Sequence, residues 1–193
     1  DNNGFIDDIH GYNFADDTGN IPAGKHGTHV AGTISAETNN GIGVSGIAGG
    51  TGNNDGVRLM SNVIFGERNK GGYAESLIYA ADNGAVISQN SWIYSVEYMP
   101  ETTRLAIDYF IVNAGGKDAP MEGGTVIFAA GNEYTERIIY PAGYDPVLSV
   151  ASMANSGKKA SYSSYGNWVD ISAPGGDITI SGNTTVDGKI IPN

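Results

Sequence analysis

The feature that most constrains the fold of this 193-residue chain is an alternation of short apolar runs with helix-like segments. The clearest apolar runs are TVIFAAGN at 125–132 and VLSVAS at 147–152. Such runs lack the two-residue period of a half-exposed strand, and together with intervening helices they are typical of a buried parallel sheet. The sequence therefore predicts an α/β fold with a parallel sheet flanked by helices, in a single domain over residues 1–193.

The remaining elements of the alternation are predicted from their apolar residues and from Gly or Pro at their ends. The predicted helices are 26–37, 73–84 and 100–113, and the further strands are 57–65, 85–91 and 168–175. Ligands of such sheets lie beyond the carboxyl ends of the strands. Ser91 and Asn132 follow two of those ends, so we expect the functional site there.

Charge and cysteine content exclude several classes of function. The net charge is −11, which argues against nucleic acid and anionic membranes as partners because phosphate groups require a basic surface. The absence of cysteine excludes disulfides, thiol catalysis and cysteine-based zinc sites. No apolar run approaches the roughly 20 residues that a membrane-spanning helix needs, so we expect no membrane insertion.

The segment His26-Gly27-Thr28-His29-Val30-Ala31-Gly32 is the strongest chemical signal. A histidine in the first turn of a helix of small residues is well placed to act as a general base, because a rigid element holds its ring toward the substrate. The alternative is a capping or metal-binding pair, since His26 and His29 are three residues apart on one helical face. Zinc proteases instead place two histidines four apart beside a Glu, which this segment lacks.

This segment resembles the histidine box of the subtilisin-like serine proteases. The segments 37–50, 125–133 and 140–175 resemble, in the same order, the calcium loop, the strand of the oxyanion asparagine and the stretch that leads to the serine. The resemblance covers residues 21–176. It implies the three-layer subtilisin-like architecture and a hydrolase, specifically a serine endopeptidase that cleaves polypeptides by acyl transfer.

The resemblance assigns roles to individual residues of this chain. His26 matches the general base and Asn132 the side-chain donor of the oxyanion hole, whereas His29 matches a packed structural position. The expected substrate-binding residues are Ser91, Trp92 and Ile93 on one wall of the primary pocket, Ala129, Ala130 and Gly131 on the other, and Gly71 and Gly72, after Lys70, on a neighbouring strand. Because the family has a small residue and Gly at the positions of Trp92 and Ile93, we expect a different pocket shape.

Two family motifs do not occur in the chain. The serine box, Gly-Thr-Ser-Met-Ala followed by Pro, is absent, and Ser152-Met153-Ala154 lacks its flanking residues. Asp17 imitates the aspartate box without the apolar strand that should precede it, so we interpret Asp17 as a loop residue. We therefore expect an incomplete subtilase domain whose serine and aspartate lie outside residues 1–193, and which is inactive by itself. The alternative is a catalytically dead, peptide-binding relative.

The resemblance also implies structural calcium. Its ligands would be the side chain of Asn40 and the backbone carbonyls of Thr38, Ile42 and Val44. A second candidate segment, the acidic DNNGFIDD at 1–8, suits either a hard cation or a solvated polar turn. A cation-dependent scaffold would be a further possible function.

Three expectations concern location and geometry. The family implies a secreted, cell-surface or periplasmic protein of bacterial origin. A missing serine helix would leave an apolar surface exposed, which a second copy of the chain could cover. The side chains of His26 and Asn132 should face one cleft lined by Ser91, within about 10 Å of each other, because both must reach one reacting carbonyl group.

Overall fold

The protein is described by a computed structural model, which covers residues 3–66, 71–116 and 119–177, and the backbone of 183–186 and 189–192. The chain forms two compact units, Asp1–Ala85 and Val86–Asn193. Each unit is described by itself below. The expectation of a single domain remains a prediction.

The first unit contains two helices, α1 over Lys25–Ser35 and α2 over Tyr73–Asp82. Both match the predicted helices at 26–37 and 73–84. Helix α2 buries Leu77 and Tyr79, and the Tyr79 ring packs edge to face with Phe5 and Phe14, at centroid distances of 4.8 and 5.4 Å. This aromatic cluster fixes the N-terminal loops against α2.

The prediction of a strand at 57–65 is wrong, because this segment does not form a regular strand. The segment runs beside residues 10–15, and Ser61 N–H donates to His10 O while Val63 N–H donates to Tyr12 O. Among the described residues a single isolated bridge involves this segment, between Asn13 and Val63. The pairing stops because the chain turns at residues 14–17, so that Thr18 folds back onto Asn13.

The second unit is built on a four-stranded parallel sheet in the order β1-β2-β3-β4. The strands are β1, Ile87–Asn90; β2, Thr125–Ala129; β3, Leu148–Met153; and β4, Ile171–Pro174. Helix α3, Glu101–Asn113, connects β1 to β2, and a separate antiparallel pair comprises β5, Asn183–Val186, and β6, Lys189–Pro192. The predicted α/β fold with a parallel sheet is therefore confirmed.

The core of the second unit lies between α3 and one face of the sheet. Ile107 and Phe110 of α3 are fully buried, as are Val126 and Phe128 of β2. Alternate residues of β2 and β3 are buried and those between them are half-buried, and the alternation breaks only at Met153, the last residue of β3. No helix in the described part of the chain is long and apolar enough to cross a membrane.

Candidate active site

His26 is the second residue of α1 and is exposed to solvent. The helix begins after Gly24, which is extended (φ −127°) and whose carbonyl oxygen accepts from Thr28 N–H at 2.9 Å. Within the described residues the His26 imidazole makes no hydrogen bond. The helix therefore supplies a rigid base for a ring whose nitrogens remain available.

His29, predicted to be a packed core residue, is exposed instead. No residue of α1 is buried, and a Cβ atom built on Gly27 or Gly32 would meet no atom within 4 Å. The prediction is wrong because the described contacts of α1 lie at its C-terminal end, where Ile47 N–H and Ala48 N–H donate to Thr33 O and Ile34 O, and the turn that carries His29 stays exposed.

Asn132 follows the carboxyl end of β2 at a sharp turn. The sheet continues to Ala130, whose N–H donates to Val150 O at 2.9 Å, and Gly131 then adopts a left-handed conformation with φ 101°. Only glycine fits there, since a Cβ atom would lie 2.6 Å from Glu133 Oε2 in addition to the conformational strain. The turn leaves Asn132 exposed, and its side-chain amide has no hydrogen-bond partner among the described residues.

The backbone around Asn132 is held by neighbouring groups. Asn132 N–H donates to Glu133 Oε2 at 2.7 Å, and Glu133 N–H donates to Ser164 Oγ at 3.3 Å. Ser164 N–H donates to Gly131 O at 3.0 Å, and Tyr134 N–H donates to Tyr162 O at 3.0 Å. The turn is thus fixed from both sides while the Asn132 side chain remains unengaged.

The two predicted pocket walls leave adjacent strands at the same edge of the sheet. Asn90 of β1 pairs with Phe128 of β2 in a parallel register, so the segments 91–93 and 129–131 emerge side by side. The structure therefore brings Ser91, Trp92 and Ile93 next to Ala129, Ala130 and Gly131, and their role as the two walls of a substrate pocket remains a prediction.

The Trp92 side chain is accommodated by the core of the second unit. Its ring packs edge-on against Phe128 at 5.1 Å and against Tyr94 at 5.3 Å, and Nε1–H donates to Asn90 Oδ1 at 3.1 Å. Tyr94 is itself fixed, because its N–H donates to Tyr140 O at 2.9 Å. A large residue at this position therefore stiffens the 91–93 segment through packing.

Gly71 and Gly72 precede α2 in the first unit, both in left-handed conformations with φ 98° and 101°. Gly72 is the N-cap of the helix, and its carbonyl accepts from Ser76 N–H at 2.9 Å. Lys70 lies outside the described residues. The role of this pair in substrate binding remains a prediction.

A family model described as the subtilase family matches residues 1–191. The chain belongs to the subtilase family. It is 37% identical over 182 residues to the thermophilic serine proteinase of Bacillus sp. strain AK1, covering 91% of this chain and 41% of that protein. It is 31% identical over 188 residues to an extracellular protease of Xanthomonas campestris pv. campestris, covering 88% of this chain and 30% of that protein.

A solved structure of a protease from Pseudoalteromonas arctica superimposes with a TM-score of 0.68 at 30% identity, covering 82% of this chain and 46% of that one. The subtilase resemblance seen in the sequence is therefore confirmed. The chain spans less than half the length of each of these three relatives.

The candidate calcium loop of this subtilase follows α1. Asn39, Gly41 and Gly43 alternate in left-handed conformations, with φ 60°, 73° and 61°. Asn40 Oδ1 accepts from Ile42 N–H at 2.9 Å, which closes a tight turn. An amide oxygen together with backbone carbonyl oxygens is a donor set that fits a hard cation, although none of the four is a carboxylate.

The acidic segment at the N-terminus behaves as a polar turn at Asp8. Asn3 Nδ2 and the Tyr79 hydroxyl both donate to Asp8 Oδ2, at 2.7 and 2.8 Å. These hydrogen bonds, that of Asn3 first and that of Tyr79 second, lower the pKa of Asp8. Since protein donors satisfy this oxygen, the contacts favour the solvated-turn alternative for Asp8.

The two residues that imitate missing subtilase motifs lie in ordinary structural positions. Asp17 lies in the turn at 14–17 with φ 59°, and its Oδ1 accepts from the Tyr12 hydroxyl at 2.9 Å. The interpretation of Asp17 as a loop residue is confirmed. Ser152 lies inside β3, where its hydroxyl is 2.8 Å from that of Tyr162.

Sequence reasoning did not identify the segment 159–165 as part of the site. It provides the partners of the Asn132 turn, including Tyr162 and Ser164. The only local signal is its density of Ser and Tyr, in KASYSSY, which is typical of many surface loops. Its role depends on pairing with residues about 30 positions earlier in the chain.

Proposed function

We propose that this subtilase chain carries the general base and the oxyanion donor of a serine endopeptidase. The observation that supports this most is the Asn132 turn. Its backbone is held by hydrogen bonds on both sides, yet its side-chain amide is exposed and has no partner within the described residues. A backbone held in this way limits the reorganisation needed to direct the amide at the oxyanion when it forms.

In the proposed reaction the nucleophile is a serine from outside residues 1–193. His26 accepts the hydroxyl proton as the serine oxygen attacks the scissile carbonyl carbon, and the carbonyl oxygen becomes an oxyanion. The Asn132 amide donates to that oxyanion. His26 then delivers the proton to the leaving amine, and water hydrolyses the acyl-enzyme. The 193-residue chain by itself is inactive in this proposal.

Peptide hydrolysis by the full-length protein tests the proposal. We expect His26→Ala to abolish measurable turnover, and Asn132→Ala to lower kcat by about 10²–10³-fold, the cost of losing one oxyanion donor. His10→Ala, which removes another exposed histidine, is the matched control and should leave kcat unchanged. Full turnover in His26→Ala would contradict the proposal.

The second candidate is a catalytically dead subtilase that binds peptides. The adjacent ends of β1 and β2 would serve either function. A fluorophosphonate probe separates the two, since it labels an activated serine. Peptide binding without probe labelling of the full-length protein would favour the binding function.

Calcium binding is part of the proposal. Thr38, Asn40, Ile42 and Val44 would supply oxygen atoms, and the ion would cross-link the loop after α1. The alternating left-handed residues of the loop support it, and binding through Asn40 Oδ1 would share the oxygen that accepts from Ile42 N–H. The ion would contribute to stability and takes no part in proton transfer.

We further propose that the protein is secreted by a bacterium. The relative from Xanthomonas is named an extracellular protease. Detection of the full-length protein in washed cells alone, with none in the medium or periplasm, would contradict this.

Self-association through the uncovered side of the first unit is the last part of the proposal. Helix α1 buries no residue, and in the loop after it Ile42 is 76% exposed and Ile47 91% exposed. Burial of such surface is favourable by roughly 25 cal/mol per Å². Weak dimers are detected at protein concentrations of about 100 µM. Sedimentation of the 193-residue chain as a monomer at that concentration would contradict self-association.

A further inference from the structure

A lysine and two tyrosines form a compact group beside the Asn132 turn. Lys159 Nζ lies 4.1 Å from the centroid of the Tyr134 ring and 4.6 Å from that of Tyr165. The two rings are tilted toward each other, with centroids 5.7 Å apart. We call Lys159, Tyr134 and Tyr165 the lysine clamp. A cation near both ring faces is attracted by both quadrupoles.

The lysine in this group has no competing carboxylate. Its Nζ is also 3.4 Å from Ala160 O and 3.3 Å from Ser163 O, and no Asp or Glu in the described part of the chain forms a salt bridge with it. Carbonyl oxygens and ring faces are therefore its partners. All of them belong to the Asn132 turn or to the segment that pairs with it.

Tyr134 has an uncommon backbone conformation. Its φ is 49°, in the left-handed region that residues other than glycine rarely adopt. It lies two residues after Asn132, and its N–H donates to Tyr162 O. Conformations of this kind persist where surrounding contacts impose them.

We infer that Lys159 is a positioning residue for the Asn132 turn. The ammonium group holds the Tyr134 ring against Tyr165, which keeps Tyr134 left-handed and thereby fixes the direction of the backbone at Asn132 and Glu133. Lys159 acts through Tyr134 and touches no reacting group. The positioning role of Lys159 does not depend on the proposed function, whereas its expected effect on catalysis does.

Amide hydrogen exchange in the 193-residue chain tests the inference directly. In Lys159→Met we expect about tenfold faster exchange at the amides of Glu133 and Tyr134, the effect of losing two cation–π contacts. Exchange at the Ala130 amide, in the sheet ladder, should not change. Lys158→Met, which removes the adjacent exposed lysine, is the matched control and should match the wild type.

Conservative variants separate the cation from simple packing. Lys159→Arg keeps the charge and should restore slow exchange, and Tyr134→Phe keeps the ring and should do the same. Tyr134→Leu should resemble Lys159→Met. In the wild type the Lys159 ε-methylene protons should show upfield ring-current shifts that Tyr134→Leu reduces.

Several results would overturn the inference: unchanged exchange at Glu133 and Tyr134 in Lys159→Met, equal acceleration at Ala130, or an arginine variant as fast as the methionine one. In an active full-length protein, Lys159→Met should lower kcat and leave KM unchanged, because Asn132 acts in the transition state. If that protein hydrolyses no peptide, the proposed function fails while the exchange data still decide the role of Lys159.

Discussion

The indole ring of Trp92 packs edge-on against the ring of Phe128, with centroids 5.1 Å apart and ring planes at 79°. Phe128 is fully buried in β2, so this contact ties the segment after β1 to the core of the second unit. The same tryptophan donates to Asn90 Oδ1. One side chain therefore joins a predicted substrate-binding wall to the sheet on which that wall depends.

Trp92→Ala should destabilise the chain by about 2–4 kcal/mol, somewhat below the usual cost of removing a fully buried aromatic ring, because Trp92 is half-buried. Urea unfolding followed by circular dichroism measures the change. Trp92→Phe keeps an aromatic contact with Phe128 and is the matched control, with an expected loss of about 1 kcal/mol. Equal stability of Trp92→Ala and the wild type would show that the contact contributes nothing.

The stability of the first unit should fall in acid as Asp8 is protonated. The hydrogen bonds from Asn3 and Tyr79 lower the pKa of Asp8 in the folded chain. A carboxyl whose pKa is lower in the folded chain stabilises the fold at any pH above its pKa in the unfolded chain, which is about 3.9. That stabilisation is lost as the pH falls through the pKa of the folded chain. Asp8→Asn should therefore be less stable than the wild type at pH 7, and the difference should shrink below about pH 3.9.

The control for this pH dependence is Asp7→Asn, which neutralises an exposed neighbour and keeps a residue type that tolerates the left-handed backbone of that position. Chemical denaturation at pH 7, 5 and 3 compares the three proteins. A constant difference between wild type and Asp8→Asn across that range would contradict the assignment.

Calcium should raise the melting temperature of the chain if the loop after α1 binds it. A ligand that binds only the folded state stabilises it by about 2.7 kcal/mol at 100 times Kd. Thermal melts in millimolar calcium and in chelator measure the shift, and Asn40→Ala should reduce it. Asn167→Ala, an exposed change in the second unit, should not. Identical melts with calcium and chelator would exclude a functional site in this chain.

The proposed chemistry requires His26 and Asn132 to approach within about 10 Å, since both must reach one carbonyl group. The chain contains no cysteine, so the double variant His26→Cys/Asn132→Cys provides a unique thiol pair. A bifunctional maleimide of about that length should cross-link it within one chain. Each single cysteine variant is the control and should give no cross-link within one chain. Failure of the first pair to react under conditions that label both thiols would contradict the arrangement.

The elements that the sequence predicted well are those whose signals are local. Helix α3 begins after Pro100, and its last residue is Asn113 as predicted, ahead of Gly115. The apolar runs at 125–132 and 147–152 became parallel neighbours because each is short, apolar and followed by a turn. His26 and Asn132 were assigned from motifs that resemble those of the subtilases, and the helix start and the Gly turn that present them are local features.

Only the tertiary structure decided the contacts between distant parts of the chain. The segment 57–65 has the composition of a strand, yet its pairing ends because the partner segment turns at 14–17. His29 is exposed because the described contacts of α1 lie at the C-terminal end of the helix. Trp92 is accommodated because its ring packs against Phe128 of β2. The pattern of apolar runs thus determined the α/β class, and the motifs that resemble those of the subtilases determined the family and the candidate chemistry. The support of Asn132 by Lys159 depends on which surfaces meet, and that is set by the packing free energy of the whole fold.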